Sequence, residues 1–179
     1  MSTVVALLRA VNVGTANRIK MVDLRAAFVT AGYADAVTHI QTGNVIFAST
    51  DEEAVTVQRV EALINTHLGL NVRAIIRTGS ELAAVAAANP FLGGDDEDTK
   101  HLYVSFLDHA PSATAVAALA AIDFDGDEFD VVGRNVFLRY RAGAGTTKLS
   151  NSVIEKKLGV VSTARNWNVT ATLATLAAR

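Results

Sequence analysis

Apolar positions in the first 78 residues alternate between short runs and helical spacing, which predicts a mixed α+β half. Residues 4–8 form an apolar run typical of a buried strand, and residues 21–31 repeat apolar side chains at the spacing of a helix face. Thr50 is predicted to cap a helix, with Glu53 completing a capping box. The predicted elements are a strand at 4–8, a helix at 21–31, strands at 37–40 and 45–48, a helix at 51–68 and a strand at 72–76, in the order βαββαβ.

The rest of the chain repeats this pattern loosely. The predicted elements are a helix at 80–88, an acidic loop at 91–99, a strand at 101–107, a helix at 112–121, a hairpin at 129–132 and 135–140, a helix at 150–158 and a final helix at 166–178. The two hairpins look alike, with GNVIF at residues 43–47 and RNVFL at residues 134–138. We therefore expect an α+β fold of two ferredoxin-like (βαββαβ-type) halves packed together, with a C-terminal helix. The expected domains are residues 1–78 and 79–179.

This topology predicts which polar residues meet. In a βαββαβ sheet of order 4-1-3-2, the end of the first strand lies beside the start of the third, so Arg9 and Asn12 are expected near Thr42 and Asn44. The first and third strands are apolar on both faces, which predicts a sheet covered on both sides. A sheet that binds RNA through stacking aromatic residues on an open face is therefore not expected.

Composition indicates a folded protein of 179 residues, half of them hydrophobic and 19% charged. The absence of cysteine excludes disulfides and thiol catalysis and suits the cytoplasm. No apolar run approaches the roughly 20 residues that cross a bilayer, and no signal-peptide pattern precedes the first strand. We expect a cytoplasmic protein that does not engage a membrane.

Charge is distributed unevenly around the net value of −2. Residues 95–130 carry ten acidic residues and one basic residue, whereas residues 131–179 carry eight basic residues and one acidic residue. One interpretation is a basic face for an anionic partner. The other is that the acidic segment folds against the basic one and cancels it.

Two polar clusters interrupt the alanine-rich sequence. The first is split between RAVNVG at residues 9–14 and QTGN at residues 41–44, and the second is TARNWN at residues 163–168. Arg165 at the start of a helix would favour an anion, because backbone N–H groups there are unpaired. The alternative is that Asn166 or Asn168 caps the helix and Trp167 belongs to the core. Lys148 follows GAGTT at residues 143–147, which lacks phosphate-loop spacing but would add to a basic patch.

The same segments resemble the motifs of a widespread bacterial family known only as a domain of unknown function. ALLRAVNVG at residues 6–14 is similar to ALLRGINVGG, KMVDLR at residues 20–25 to KMADLR, and IQTGNVIF at residues 40–47 to YIQSGNVVF. NPF at residues 89–91 and TARNWN near the C-terminus complete the resemblance. It implies an α+β fold and no established activity. Ala10 and Thr15 stand where the family motif has glycine, which makes the loop less permissive of close backbone–ligand approach.

These patterns favour a binding domain for an anionic, phosphate-bearing ligand such as a nucleotide or a nucleic acid. One alternative is an enzyme that stabilises developing negative charge through Arg and Asn without a covalent nucleophile, for which His39 is the nearest candidate base. Another is a structural or protein-interaction module. No cofactor is indicated, and the four histidines lack metal-ligand spacing. The expected ligand-binding residues are Arg9, Asn12, Gly14, Thr42, Asn44, Lys148, Arg165, Asn166 and Asn168.

Overall fold

Each half of the chain forms a four-stranded antiparallel sheet with helices. The computed structural model describes residues 2–15, 17–93 and 99–178. The first half contains β1 (Ser2–Leu8), α1 (Met21–Thr30), β2 (Val37–His39), β3 (Asn44–Ser49), α2 (Glu53–Leu68) and β4 (Ala74–Thr78). The second contains α3 (Gly79–Ala88), a 3₁₀ turn (Thr99–His101), β5 (Leu102–Leu107), α4 (Ala113–Ala120), β6 (Glu128–Val132), β7 (Asn135–Arg139), α5 (Asn151–Leu158), β8 (Ser162–Asn166) and α6 (Trp167–Ala177).

Strand order is the same in both sheets, namely β2-β3-β1-β4 and β6-β7-β5-β8. This confirms the α+β fold, the βαββαβ order of the first half and the predicted sheet order. The second half is a fuller repeat than its sequence indicated, because β8 pairs with β5 from Leu107↔Ser162 to Tyr103↔Asn166. The prediction of a helix from residue 166 missed this strand. Pairing with a buried neighbour decides its conformation, whereas STARN has weak strand propensity.

The registers define equivalent positions in the two sheets. Leu7 pairs with Asn44 in the first, as Phe106 pairs with Asn135 in the second. In the next row, the N–H of Leu8 donates to the carbonyl of Gly43 at 2.9 Å, and the N–H of Leu107 donates to the carbonyl of Arg134 at 3.0 Å. The resemblance between the two hairpins therefore corresponds to a matching hydrogen-bond frame.

The chain divides into two compact units, Met1–Ala84 with Leu173–Arg179 and Val85–Thr172. We call them unit 1 and unit 2. The core of unit 1 includes buried side chains of α1, α2 and one sheet face, with Phe28 and Phe47 in edge contact at 5.2 Å between ring centroids. The core of unit 2 likewise includes Leu119 of α4 and Ile154 of α5. Each unit thus buries the apolar stripes of two helices in its core.

Burial of the central strands matches their apolar sequence. Residues 4–8 of β1 and residues 44–47 of β3 are all buried, so side chains that point to opposite faces are both withdrawn from water. The expectation of a sheet covered on both sides is confirmed. In unit 1, a binding site is therefore to be sought at the sheet end or edge.

The predicted capping box at Thr50 and Glu53 is wrong. Helix α2 begins at Glu53, its N-cap is Glu52, and no side chain caps it. A reciprocal capping pair instead opens α3. There the Glu81 N–H donates to Thr78 Oγ1 at 3.2 Å, and the Thr78 N–H donates to Glu81 Oε2 at 2.8 Å.

Across the described part of the chain, no helix has both the length and the apolar character needed to cross a membrane. Most of the predicted acidic loop at residues 91–99 lies outside the described residues, since residues 94–98 are not described.

Candidate functional site

The two segments of the first polar cluster lie side by side in unit 1. Asn12 joins its parts, because its Nδ2 donates to the carbonyls of Ile19 and Gln41, each at 2.8 Å. Its Oδ1 accepts from the Ile19 N–H at 2.8 Å. One amide side chain thus fixes residues 9–20, which connect β1 to α1, against the turn at residues 40–43. The predicted proximity of the two segments is confirmed.

The side chain of Asn44 stabilises the turn at residues 40–43 through hydrogen bonds. It is buried, and its Nδ2 donates to the carbonyl of His39 and to Thr42 Oγ1, each at 3.0 Å. Gly43 lies between them with φ +74°, and a Cβ atom there would come within 3.0 Å of the Cβ atoms of both Leu8 and Val11. Asn44 therefore shapes the turn, and Gly43 is required for the close packing of the two segments.

The backbone around Asn12 is strained. Ala10, Asn12, Asn17 and Ile40 have φ between 49° and 55°, in the left-handed region that L residues rarely adopt. Apart from Asp125, they are the only non-glycine residues with positive φ in the described part of the chain. Strain of this kind costs about 1–3 kcal/mol per residue and concentrates at functional sites. Its clustering where the two segments meet makes this sheet end a candidate site.

A cleft of about 490 Å³ opens beside Asn12, and we call it the motif cleft. Among the described residues, the charged side chains that line it are those of Arg18 and Lys20, which are both exposed. Arg18 makes a long hydrogen bond of 3.4 Å to the carbonyl of Gly14. The described lining residues, none of which is acidic, are Asn12, Arg18, Ile19, Lys20, Met21, Val22 and Gln41.

Two other expected residues of the first cluster, Gly14 and Arg9, are not among the described residues that line the cleft. Gly14 is exposed with φ +64°. Arg9 is half-buried at the end of β1, where its N–H donates to the carbonyl of Arg73 at 2.9 Å. Arg18, Lys20 and Gln41 were not among the expected site residues. The signal that could have found Arg18 and Lys20 is their position between the first motif and α1, in a connection too long to be a simple turn.

Arg165 lies in β8 and is only 5% exposed. Its guanidinium donates to Thr163 Oγ1 and to the carbonyl of Ala164, each at 2.8 Å, and burial lowers its pKa to about 10. The group therefore remains charged at neutral pH. Arg77 occupies the equivalent register position in β4 and donates in the same way to the carbonyl of Ile76 at 2.9 Å. Sequence reasoning missed this buried partner in the repeat.

The remaining residues of the second cluster have structural roles. Asn166 accepts from the Val169 N–H at 2.9 Å and so caps α6, and Trp167 is 7% exposed and buried as expected. Asn168 is exposed and accepts from the Thr99 hydroxyl at 3.0 Å. The capping alternative describes Asn166 and Trp167 better than an open anion site at the start of the helix.

The acidic and basic segments of unit 2 neutralise each other at several points. Lys148 forms an ion pair with Asp125 at 2.5 Å, which raises the pKa of the Lys148 ammonium, and Arg139 pairs with Glu128. A second cleft of about 300 Å³, lined by Arg139 and Arg141, also contains Glu128. This cleft is consequently less cationic than the motif cleft, and the charge-cancelling interpretation is confirmed for these pairs.

Groups for acid–base or metal chemistry do not gather at the motif cleft. The described lining residues include no histidine or carboxylate, and His39 lies half-buried in β2. Among the described residues, no three histidine, aspartate or glutamate side chains are arranged to hold a metal ion. The cleft therefore has the chemistry of binding through cations, amides and apolar surface.

Comparison with known proteins agrees with this fold. The family model described as "Protein of unknown function (DUF1697)" matches residues 1–137, and the chain therefore belongs to that family. The solved structure of the conserved bacterial protein SP0830 from Streptococcus pneumoniae is similar over 100% of this chain and 99% of the other, with a TM-score of 0.72 and 17% identity. At this identity the similarity shows the fold alone. A search of curated proteins gave no match.

Proposed function

We propose that this member of the DUF1697 family binds a phosphate-bearing anion, such as a nucleotide or a nucleic-acid phosphate, in the motif cleft of unit 1. The carrying observation is that Arg18 and Lys20 line a cleft in which no described lining residue is acidic. An exposed pair of cations in such a lining favours an anion from solution, because charge-assisted hydrogen bonds to phosphate are stronger than neutral ones.

The loop that presents these cations is held in place before any ligand arrives. Three hydrogen bonds of Asn12 fix residues 12, 19 and 41 relative to one another, so Arg18 and Lys20 extend from an anchored segment. Preorganisation reduces the entropy lost on binding. The strained backbone at Ala10, Asn12 and Asn17 is consistent with a loop kept for its shape rather than for its stability.

This proposal relocates the anion site that the sequence suggested. Arg165 and Asn44 are buried, and Lys148 is paired with Asp125, whereas Arg18 and Lys20 are open to solvent. The amide of Gln41 adds a neutral donor to the same lining. None of the lining side chains is aromatic, so recognition would depend on the phosphate group more than on stacking of a base.

Isothermal titration calorimetry of the full chain with inorganic pyrophosphate tests the proposal. A salt concentration of about 50 mM is used because low salt screens surface charges less. We expect saturable binding that weakens by about tenfold or more in the double variant Arg18→Ala/Lys20→Ala, since each lost charge-assisted contact is worth about 1.5–3 kcal/mol. Binding should also weaken as salt is raised.

The matched control is Lys156→Ala/Lys157→Ala, which removes two exposed cations from the end of α5 in unit 2. This double variant changes net charge equally and should bind pyrophosphate like the parent protein. An equal loss of affinity in both double variants would show non-specific attraction and reject the motif cleft. Absence of saturable binding by the parent protein would reject the proposal as well.

A further inference from the structure

Exposed apolar side chains of unit 1 gather on one face of α1. Val22 is 78% exposed and Val29 is 40% exposed. Large exposed apolar residues that are scattered singly need no explanation, but a contiguous group marks an interaction surface. Val22 and Val29 are seven residues apart on one helix and so lie on the same face, with Ala26 between them.

A groove of about 410 Å³ runs along this face, and we call it the α1 groove. Val22, Ala26 and Val29 form its helix side, and Thr38 of β2 lines it as well. Thr38 pairs with Val45, whose side chain belongs to the core beneath α1, so Thr38 and α1 lie on the same side of the sheet. The groove is therefore bounded by an apolar helical stripe and by the outermost strand.

Strand β2 is the edge of its sheet and pairs only with β3 within the described residues. An edge strand presents backbone groups that can pair with another chain. A strand added beside β2 would direct every second side chain toward Val22, Ala26 and Val29, because side chains alternate between the faces of a sheet. The geometry suits an extended peptide, whose backbone would pair with β2 while its apolar side chains fill the groove.

Among the described residues, Arg25 is the one charged side chain that lines the groove. Its Nε donates to the carbonyl of Ala36 at 2.9 Å, which holds it beside the edge strand. The motif cleft adjoins the groove, since Met21 and Val22 line both, and it adds Arg18 and Lys20. Asp23 is exposed in the first turn of α1, but no described residue that lines either space is acidic. Complementarity therefore favours an acidic partner over a basic one.

We propose that the α1 groove and the free edge of β2 bind an extended, acidic segment of a partner protein that carries apolar residues at alternate positions. This interaction goes beyond anion binding in the motif cleft and does not depend on it. The apolar stripe and the edge strand would supply most of the affinity, and Arg25 with the neighbouring cations would select against basic segments.

Selection of a random phage-displayed library of peptides of about ten residues, the length of a long strand, tests the proposal with the full chain as bait. We expect enriched peptides to combine acidic residues with alternating apolar residues. Synthetic versions should bind about tenfold more weakly to Ala26→Glu, which places bulk and negative charge in the middle of the groove. Ala26→Lys adds similar bulk with positive charge and should retain more of the affinity for acidic peptides.

Two further measurements locate the site. Val29→Ser should weaken the enriched peptides, whereas Val55→Ser, at a 39% exposed position on α2, should not. Neither Val29→Ser nor Ala26→Glu should abolish pyrophosphate binding, because neither residue lines the motif cleft. Failure of this proposal is thereby distinguishable from failure of the proposed anion site.

Several results would overturn the inference. They are the absence of enrichment over an unrelated bait, enrichment without acidic residues, and affinity that is the same in Ala26→Glu as in the parent protein. Sedimentation velocity that shows a dimer, with the dimer disrupted by Val29→Ser, would assign the surface to a second copy of this chain instead.

Discussion

Units 1 and 2 share a strand order and a backbone hydrogen-bond frame, yet they differ at the end of their first strands. In unit 1 the N–H of Arg9 donates to the carbonyl of Arg73, and in unit 2 the N–H of Asp108 donates to the carbonyl of Val161, each at 2.9 Å. The equivalent position thus carries a cation in one unit and an anion in the other. In unit 2 the Asp108 carboxylate also accepts from the Val161 N–H at 3.0 Å and so closes that end of the sheet.

The connections that follow differ as well. In unit 1 the connection from β1 to α1 is long, and Ala10, Asn12 and Asn17 in it are strained. In unit 2 the connection from β5 to α4 is short and ends at Ser112, whose hydroxyl caps α4. The comparison teaches that the shared topology alone does not make a site. The proposed site lies where one copy of the repeat carries a longer loop, held in an unfavourable conformation by side-chain hydrogen bonds.

The largest expected difference between the units concerns their turns. Gly43→Ala should lower the free energy of unfolding by about 3 kcal/mol, because it adds left-handed strain and forces a Cβ against Leu8 and Val11. Gly133, in the turn of unit 2, also has a positive φ of +59°, but no atom lies within 4 Å of an added Cβ. Gly133→Ala should therefore cost only about 1 kcal/mol. Urea unfolding, followed by circular dichroism, measures both. Equal losses would mean that packing against the loop is unimportant.

The asparagines at equivalent positions should separate the two turns next. Asn44→Ala should cost about 2 kcal/mol, because a fully buried side chain is removed and the His39 carbonyl and the Thr42 hydroxyl lose their donor. Asn135→Ala should cost less than about 0.5 kcal/mol, because the hydrogen bond of the half-buried Asn135 to the Val132 carbonyl is long, at 3.4 Å, and its Oδ1 has no partner among the described residues.

Thermal unfolding of these two variants at matched concentration checks the prediction. If Asn135→Ala proved as destabilising as Asn44→Ala, the two hairpins would be energetically alike, and the special character of the first turn would be lost.

The smallest expected effect concerns the loop itself. Ala10 has φ 55°, so Ala10→Gly should relieve left-handed strain of about 1–2 kcal/mol and lose part of that gain to unfolded-chain entropy, for a net stabilisation below about 1 kcal/mol. Thr15 does not have a positive φ, so Thr15→Gly should destabilise by about 0.5–1 kcal/mol. Urea unfolding should show changes of opposite sign in the free energy of unfolding for the two variants, as expected if Ala10 is strained and Thr15 is not. A loss of stability in Ala10→Gly would contradict it.

Sequence reasoning was most successful where local pattern and topology agreed. The apolar run of β1, the turn at Gly43 and the βαββαβ order together placed Asn12 beside the turn, although the two segments are far apart in the sequence. The resemblance in the hairpins was likewise informative, because Asn44 and Asn135 do occupy equivalent register positions.

It was less successful where a partner determines the conformation or the exposure of a residue. STARN at residues 162–166 is a strand because β5 pairs with it, and its own side chains gave little sign of this. Arg165 is consequently a buried strand residue, and Lys148 is held by Asp125 across a loop. Neither the burial nor the pairing is encoded in local spacing, so both residues looked equally available as anion ligands.

The sequence by itself determined the α+β repeat, the covered first sheet and the meeting of two polar segments, because these follow from side-chain periodicity and from the few topologies that a βαββαβ chain can adopt. Only the tertiary structure decided which polar groups are used up in holding the fold and which remain open to a ligand. Asn12 and Asn44 lie in motif segments, and Arg18 lies in the connection that follows the first of them. The asparagine amides donate to backbone carbonyls, whereas Arg18 and Lys20 of the motif cleft are exposed to solvent. That division depends on which hydrogen-bond partners the fold brings close, and the spacing of residues along the sequence does not specify those partners.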